Sequence, residues 1–194
     1  MAAGVSFFGA KATQGKTFTD PTFRAHQDGA RSRPFALSWF YHFAQPGDPG
    51  FQAGRLMDVV GPLRGTERLV LDLEGKTVTD LPAAPAAVLP WTDKFFRELL
   101  DTYPDRRPLL YWSERIYQMI GSPTVWDLAG EVDIILPRYS SEEPVIPPLW
   151  SRWTAWQFSQ SYTCPGVDGP CDASRFNGSV ADLQVYAKLK PLTT

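Results

Sequence analysis

The sequence contains 194 residues, carries a formal net charge of -2 at pH 7 and is 43% hydrophobic. This size and composition predict one globular domain, residues 1–194, built around its own core. The nearly balanced charge gives no reason to expect a nucleic-acid partner or attraction to anionic membranes. No apolar run is long enough to span a bilayer, so we expect no membrane insertion.

The opening residues 1–15, MAAGVSFFGAKATQG, look like the beginning of a strand. They have no basic region and no cleavage site, so no signal peptide is predicted. Further along the chain, apolar runs typical of strands alternate with helical patterns. The predicted strands are 5–10, 34–43, 68–74, 108–112, 132–136 and 153–159.

The predicted helices lie between most of these strands. Asp20 with Pro21 is predicted to open the first helix, and Asp48 with Pro49 the second, since aspartate caps helices and proline suits their first turn. The remaining helices are predicted at 91–103, 115–121 and 180–190. Alternating strands and helices favour parallel βα units, either a barrel or a doubly wound sheet. The Pro-rich segment 139–153 indicates that the last third of the fold lacks regular helices.

An acidic pair stands at the end of the third predicted strand, VLDLE. Side chains alternate along a strand, so Asp72 and Glu74 share one face. Carboxylates at the C-terminal end of a strand in an α/β protein are typical of catalytic groups. The alternative is a pair of solvated carboxylates at a strand edge.

Other polar residues also follow predicted strands, and parallel strands would bring them to the same face as the acidic pair. Each has a structural alternative: His42 as a core histidine, the tyrosines as core residues with a surface hydroxyl, and Asp172 as a turn cap. The prediction therefore rests on several residues at one topological position: Tyr41, His42, Tyr111, Tyr139, Gln157 and Asp172.

The two cysteines, Cys164 and Cys171, flank a short turn rich in glycine and proline. We predict a disulfide across this loop, with two reduced thiols as the alternative. Two cysteines cannot build a structural zinc site, and the two histidines are distant in sequence. No nucleotide-binding loop is present, so neither a metal nor another cofactor is expected.

Taken together, several short motifs resemble the family 25 glycoside hydrolases, which are lysozymes (N-acetylmuramidases). In chain order these are KATQG at 11–15, Asp20, Phe23, FYHFA at 40–44, LDLE at 71–74, LLYW at 109–112, AWQFS at 155–159, and Asp172, Phe176 and Gly178. The resemblance implies a flattened, irregular β/α barrel that has lost the helices of its last strands. It also implies cleavage of the β-1,4 bond between N-acetylmuramic acid and N-acetylglucosamine in peptidoglycan.

The resemblance also implies a role for each motif residue. Glu74 would be the general acid and base, with Asp72 as its acidic neighbour and Asp172 as the carboxylate of the last strand. Tyr41, His42, Tyr111, Tyr139, Gln157 and Lys11 would line the sugar groove.

The chemistry requires a proton donor and a negative group that supports an oxocarbenium-like transition state. Two close carboxylates meet both needs, because their repulsion keeps a proton on the pair. Two schemes stay open for the nucleophile: a carboxylate attacks the anomeric carbon, or the substrate's own acetamide oxygen does so while Asp72 orients it. We favour the second, since the muramic acid unit carries that acetamide.

One departure from the family pattern concerns the N-terminus. The family begins with a βα unit that carries a further aspartate, and this chain starts near the second strand, so the first strand is expected to be absent. A truncated start, a replaced strand, or a separate segment or chain covering the exposed barrel edge would each explain this. A smaller departure is Gln14, where many members have glutamate.

Two classes of function therefore remain. The first is an active muramidase, secreted by a bacterium or released by a phage, acting on the cell wall. The second is a glycan-binding or phage structural protein with the same fold and weakened catalysis. A deacetylase is disfavoured, because no histidine and aspartate cluster for a metal is visible.

Overall fold

A computed structural model describes residues 4–75, 80–81 and 85–188 of the chain. Within these residues, eight strands form a single sheet in the order β2-β1-β3-β4-β5-β6-β7-β8. The strands are β1 Phe7–Gln14, β2 Phe18–Thr19, β3 Leu37–Phe43, β4 Glu67–Asp72, β5 Leu109–Tyr111, β6 Asp133–Pro137, β7 Ala155–Tyr162 and β8 Cys171–Phe176.

The central strands are parallel, and only the outermost pairs of the sheet are antiparallel. The run from β1 through β3, β4, β5 and β6 to β7 is parallel. The short β2 pairs antiparallel with β1, and β8 pairs antiparallel with β7. No described strand joins β1 to β8. The parallel order with helices between the strands confirms the predicted irregular, TIM-like α/β fold, which in the described residues is an open half-barrel.

Five α-helices are described: α1 Phe23–Arg31, α2 Pro49–Val60, α3 Val88–Thr102, α4 Glu114–Met119 and α5 Val180–Lys188. As predicted, Asp48 caps α2 by accepting a hydrogen bond from the Phe51 amide at 2.8 Å. Between β6 and β8 the described chain contains no helix, which confirms the loss of helices from the last strands.

The first helix begins later than predicted. Asp20 Oδ1 accepts hydrogen bonds from the Thr22 amide at 2.9 Å and from the Thr22 hydroxyl at 2.6 Å. These contacts close a local turn, so the helix starts only at Phe23. In the described part of the chain, no helix is both long enough and apolar enough to cross a membrane.

Two apolar clusters lie on opposite faces of the sheet. The outer cluster packs the sheet against α2 and α3 through residues such as Phe40, Leu71 and Phe95. The inner cluster lines the concave face and alternates with the outer one along each strand. It contains Leu37, Trp39, Val70, Leu109, Ile135 and Ala155 from the strands and Leu183, Tyr186 and Ala187 from α5.

Helix α5 closes the concave face at the N-terminal ends of the parallel strands. The Tyr186 hydroxyl donates to Asp133 Oδ2 at the start of β6 over 2.8 Å. Arg68, near the start of β4, donates from Nη2 to the Ala187 carbonyl oxygen, also at 2.8 Å. We call this end the base of the sheet. Functional side chains on the inner face are therefore confined to the opposite end, where the parallel strands finish.

A glycine lets an aromatic ring lie across the first strand. A Cβ atom at Gly9 would stand 1.9 Å from Trp39 Nε1, so no other residue fits beside this ring. The Trp39 ring also packs against Phe7, with 4.9 Å between the ring centroids. The Trp39 and Phe7 rings thus pack together on the inner face of β1, beside Gly9.

Candidate active site

The predicted acidic pair lies at the C-terminal end of β4, as expected. Asp72 is the last residue of that strand and pairs with Tyr111 of β5. Glu74 follows two residues later and is half-buried. The Asp72 side chain hydrogen-bonds with Glu74, so the two carboxyl groups form one unit.

The pKa of Asp72 is raised well above its ordinary value, first by burial and then by the charge of Glu74. Lys11 partly opposes this shift through its positive charge. Asp72 Oδ1 is also buried and has no hydrogen-bond partner among the described residues. The pair therefore retains a proton at a pH where a free aspartate would be ionised. The Asp72 Oδ1 atom is available to accept a hydrogen bond from a ligand.

Two tyrosines flank the acidic pair. Tyr41 of β3 has its pKa raised by burial and by the negative charges of Asp72 and Asp172. The pKa of Tyr111 is raised by burial and by a hydrogen bond with the Tyr139 side chain. Both phenols therefore stay protonated, and the Tyr41 hydroxyl can donate a hydrogen bond to a ligand.

Asp172 reaches the same region from β8. Its pKa is raised by burial, which outweighs a hydrogen bond from Gln157 that acts in the opposite direction. Gln157 is buried on β7, and its Oε1 atom has no partner among the described residues. The charge of Asp172 also contributes to the raised pKa of Asp72, which shows that the edge strand β8 approaches the central strand β4 here.

Lys11 of β1 completes the charged set. It pairs with Tyr41 in the sheet and donates from Nζ to Gln14 Oε1 at 2.5 Å. The ammonium group lies over the rings of Phe43 and Phe18, at 4.9 Å and 5.4 Å from their centroids. In the sequence, Gln14 stands out only as a departure from the family pattern. The structure makes it the residue that holds the lysine in place.

The predicted groove position of His42 is wrong. Its neighbour Tyr41 faces the concave side, so His42 points to the outer face, where it is 0% exposed. Nδ1 lies 2.8 Å from the Thr13 hydroxyl and Nε2 lies 2.9 Å from Gln52 Oε1. His42 is therefore a fully hydrogen-bonded core histidine, the alternative recognised in the sequence.

The predicted disulfide is absent from the structure, where Cys164 and Cys171 are both free thiols. The Cys171 thiol lies 3.4 Å from the Tyr162 carbonyl oxygen. Its pKa is raised, first by burial and then by Cys164 and Asp172. The two thiols therefore lie near enough to interact, and both are reduced in this structure.

One further residue belongs to the site. The charge of Asp20 contributes to the raised pKa of Tyr41, and the charge of Lys11 lowers the pKa of Asp20. The sequence by itself indicates Asp20 only as a helix cap and a motif position. Its place in the KATQG-to-Phe23 segment was the signal that could have linked it to the groove.

Comparisons with known proteins agree with this geometry. The sequence profile described as "Glycosyl hydrolases family 25" matches residues 1–167. The N,O-diacetylmuramidase of Chalaropsis sp is 26% identical over 95% of this chain and 89% of its own length. The autolytic lysozyme of Clostridium acetobutylicum is 24% identical over 92% of this chain, which spans 51% of that protein.

Solved structures extend the likeness to the fold. A bacterial lysozyme from Streptomyces coelicolor superposes with a TM-score of 0.84 and 25% identity, covering 96% of this chain and 88% of the lysozyme. The profile match covers most of the sequence, including β1 to β7 and the acidic pair. The chain therefore belongs to glycosyl hydrolases family 25 and is a glycoside hydrolase.

Proposed function

We propose that this chain, as one catalytic domain, cleaves the β-1,4 bond between N-acetylmuramic acid and N-acetylglucosamine of peptidoglycan with retention at the anomeric carbon. Family membership and relatives named as muramidases and lysozymes support peptidoglycan as the substrate. The observation that carries the mechanism is the Asp72–Glu74 unit, with its retained proton and the unpartnered Asp72 Oδ1 atom.

In the first step, the carbonyl oxygen of the substrate's acetamide attacks the anomeric carbon. The glycosidic bond breaks, and its electron pair goes to the leaving oxygen, which takes the one proton shared by the Asp72–Glu74 pair; Glu74 delivers it and Asp72 is left as the carboxylate. Asp72 Oδ1 accepts the acetamide N–H and stabilises the positive charge that develops on the cyclic intermediate. The orphaned acceptor atom suits this task because it has no competing partner in the free enzyme.

In the second step, water attacks the anomeric carbon and gives its proton to Glu74, which restores the acetamide. Tyr111 and Tyr139 are joined by a hydrogen bond, and the hydroxyl of this pair that is left free would donate to the acetamide carbonyl. Tyr41 and the Gln157–Asp172 pair would contact the sugar from the neighbouring strands, with Lys11 at the edge.

We further propose that the enzyme acts on the wall after secretion or phage release. The net charge of -2 supports neither nucleic acid nor an anionic membrane as a partner. The described sheet ends at β2, beside β1, on one side and at β8 on the other, and a separate segment or chain is proposed to cover the gap between these edges.

Purified bacterial walls test the proposed roles. Turbidity loss and newly released reducing ends are measured for the wild type, Glu74→Gln, Asp72→Asn and the control Asp101→Asn, which changes an exposed carboxylate of α3. We expect the first two variants to lose about 10²- to 10⁴-fold in rate and the control to keep its rate. A wild type that binds glycan but releases no reducing ends would instead establish a binding protein.

A second substrate separates the two nucleophile schemes. Walls from which the acetyl groups have been removed lack the acetamide oxygen, so the proposed mechanism predicts that they are not cleaved. Cleavage of these walls at an undiminished rate would show that a carboxylate attacks directly.

A further inference from the structure

A second concavity opens at the base of the sheet, away from the acidic pair. It encloses about 370 Å³ and is lined by eleven residues. The polar ones used below are Arg68, Arg107, Arg152, Asp133, Thr154 and Tyr186. We call this concavity the basal pocket.

The basal pocket and the active site lie at opposite ends of the same strands. Arg68 and Asp72 are four residues apart on β4, which places their α-carbons roughly 13 Å apart along the strand. Asp133 begins β6, and Thr154 directly precedes β7. The pocket is therefore separate from the groove that carries Glu74.

The lining is strongly basic. Three arginines and one aspartate leave the walls with a formal charge of +2. The aspartate is already engaged: Asp133 accepts from Arg107 at 2.9 Å and 3.2 Å and from the Tyr186 hydroxyl at 2.8 Å. Its charge also acts on Arg68, so a single carboxylate is shared among the arginines and the walls stay net positive.

Arg152 makes no direct hydrogen bond or ion pair within the described residues, although the charge of Asp182 lies near enough to interact with it. That carboxylate is held by Ser179, whose amide and hydroxyl donate to it at 2.8 Å and 2.6 Å. The guanidinium of Arg152 thus keeps its donors available to a ligand in the pocket.

Arg68 brings a buried positive charge to the same cavity. It donates to the carbonyl oxygens of Gly65, Glu67 and Ala187 and is 1% exposed. Burial lowers its pKa, because a cation in the interior loses hydration. An anion in the pocket would recover part of that lost stabilisation.

We propose that the basal pocket binds a small phosphate-bearing ligand, either inorganic phosphate or a phosphate monoester. Guanidinium groups bind phosphate oxygens through paired hydrogen bonds, and a dianion matches the charge of the lining. The Thr154 hydroxyl adds a polar contact at the wall. The volume exceeds that of phosphate alone, which leaves room for the small polyol of a monoester.

Calorimetric titration of the full chain tests this, with inorganic phosphate and glycerol phosphate at constant ionic strength and glycerol as the neutral comparison. We expect saturable one-site binding of at least one phosphate compound and none of glycerol. Arg152→Ala should weaken binding about tenfold, which corresponds to about 1.4 kcal/mol. Asp133→Asn should tighten it, since the opposing carboxylate is removed. Stronger binding of the monoester would identify the ester as the ligand, and equal binding would identify free phosphate.

The control is Arg97→Ala, which removes an exposed arginine paired with Asp93 on α3, outside the pocket. It should bind phosphate as the wild type does. Thermal unfolding in phosphate-free buffer verifies that each variant is folded. Absence of saturable binding in the wild type, or equal binding by Arg152→Ala and wild type, would overturn the proposal. Because the readout is binding, it is independent of the wall-lysis assay.

Discussion

At the scale of single residues, burial decides which polar groups serve chemistry and which serve the core. Asp72 and His42 are near neighbours in the sheet, yet they lie on opposite faces. Burial raises the pKa of Asp72 and lowers the pKa of His42, because in each case it disfavours the charged form. Only Asp72 has an unpartnered oxygen, whereas both ring nitrogens of His42 are satisfied.

His42 should make the protein less stable in mild acid. Burial lowers its pKa from 6.5 to about 4, so the unfolded chain binds a proton that the folded protein resists. Stability is therefore expected to fall by about 3 kcal/mol as the pH drops from 6.5 to 4. Urea unfolding at several pH values measures this for the wild type and His42→Gln.

The difference between these two proteins isolates the histidine, because their other titrating groups are the same. The gap between their unfolding free energies should narrow as the pH falls from 6.5 to 4. A gap that stays constant over this range would contradict the assignment of a buried neutral imidazole.

The sequence predicted that Asp72 and Glu74 lie on one face of the strand, but it did not separate the neighbouring side chains that share that face from those that do not. Period-two alternation was enough to place Asp72 and Glu74 on one face. The same alternation separates Tyr41 from His42, but it does not show which side is the groove. The hydrogen bonds of His42 involve residues 29 and 10 positions away, so the pattern within one strand could not reveal them.

At the scale of elements, the parallel strands and most helices could be predicted, and β8 could not be predicted from its apolar pattern. Strands β3 to β6 are rich in buried apolar residues, which the sequence displays directly. Strand β8 contains none that is fully buried, so its pattern resembles a loop. It forms because β7 offers an antiparallel partner, a tertiary effect that a local pattern does not contain.

Strand β1 requires glycine at position 9 for packing rather than for backbone conformation. Gly9→Ala would drive a methyl group into the Trp39 ring, and we expect a loss of about 1–3 kcal/mol. Trp39→Leu removes the ring, so adding Gly9→Ala to that variant should cost much less. Chemical denaturation of the four proteins gives this coupling directly. If the losses of unfolding free energy from Gly9→Ala and Trp39→Leu simply add in the double variant, the proposed clash between a Cβ at position 9 and the Trp39 ring is wrong.

At the scale of the whole molecule, α5 packs the C-terminal part of the described chain against the central strands of the sheet. Its Leu183, Tyr186 and Ala187 complete the inner apolar cluster. The helical pattern of 180–190 was visible in the sequence, but its docking partner was not. The same holds for the basal pocket, whose arginines come from three separate parts of the chain.

Leu183 should therefore behave as a core residue of the barrel. It is 1% exposed, and Leu183→Ala is expected to lower the free energy of unfolding by about 2–5 kcal/mol. Val185→Ala is the matched control on the same helix, because Val185 is 59% exposed and should change stability by less than about 0.5 kcal/mol. Thermal and urea unfolding measure both. Equal effects of the two substitutions would mean that α5 is not docked in solution.

The docking of α5 also has a consequence for synthesis. This helix follows all eight strands in the chain, yet it supplies one wall of the inner cluster. A nascent chain whose α5 is still inside the ribosome exit tunnel has its concave face uncovered at the base. The sheet can therefore reach its final packing only after this helix has left the tunnel, so wall-degrading activity should arise only once α5 is free to dock.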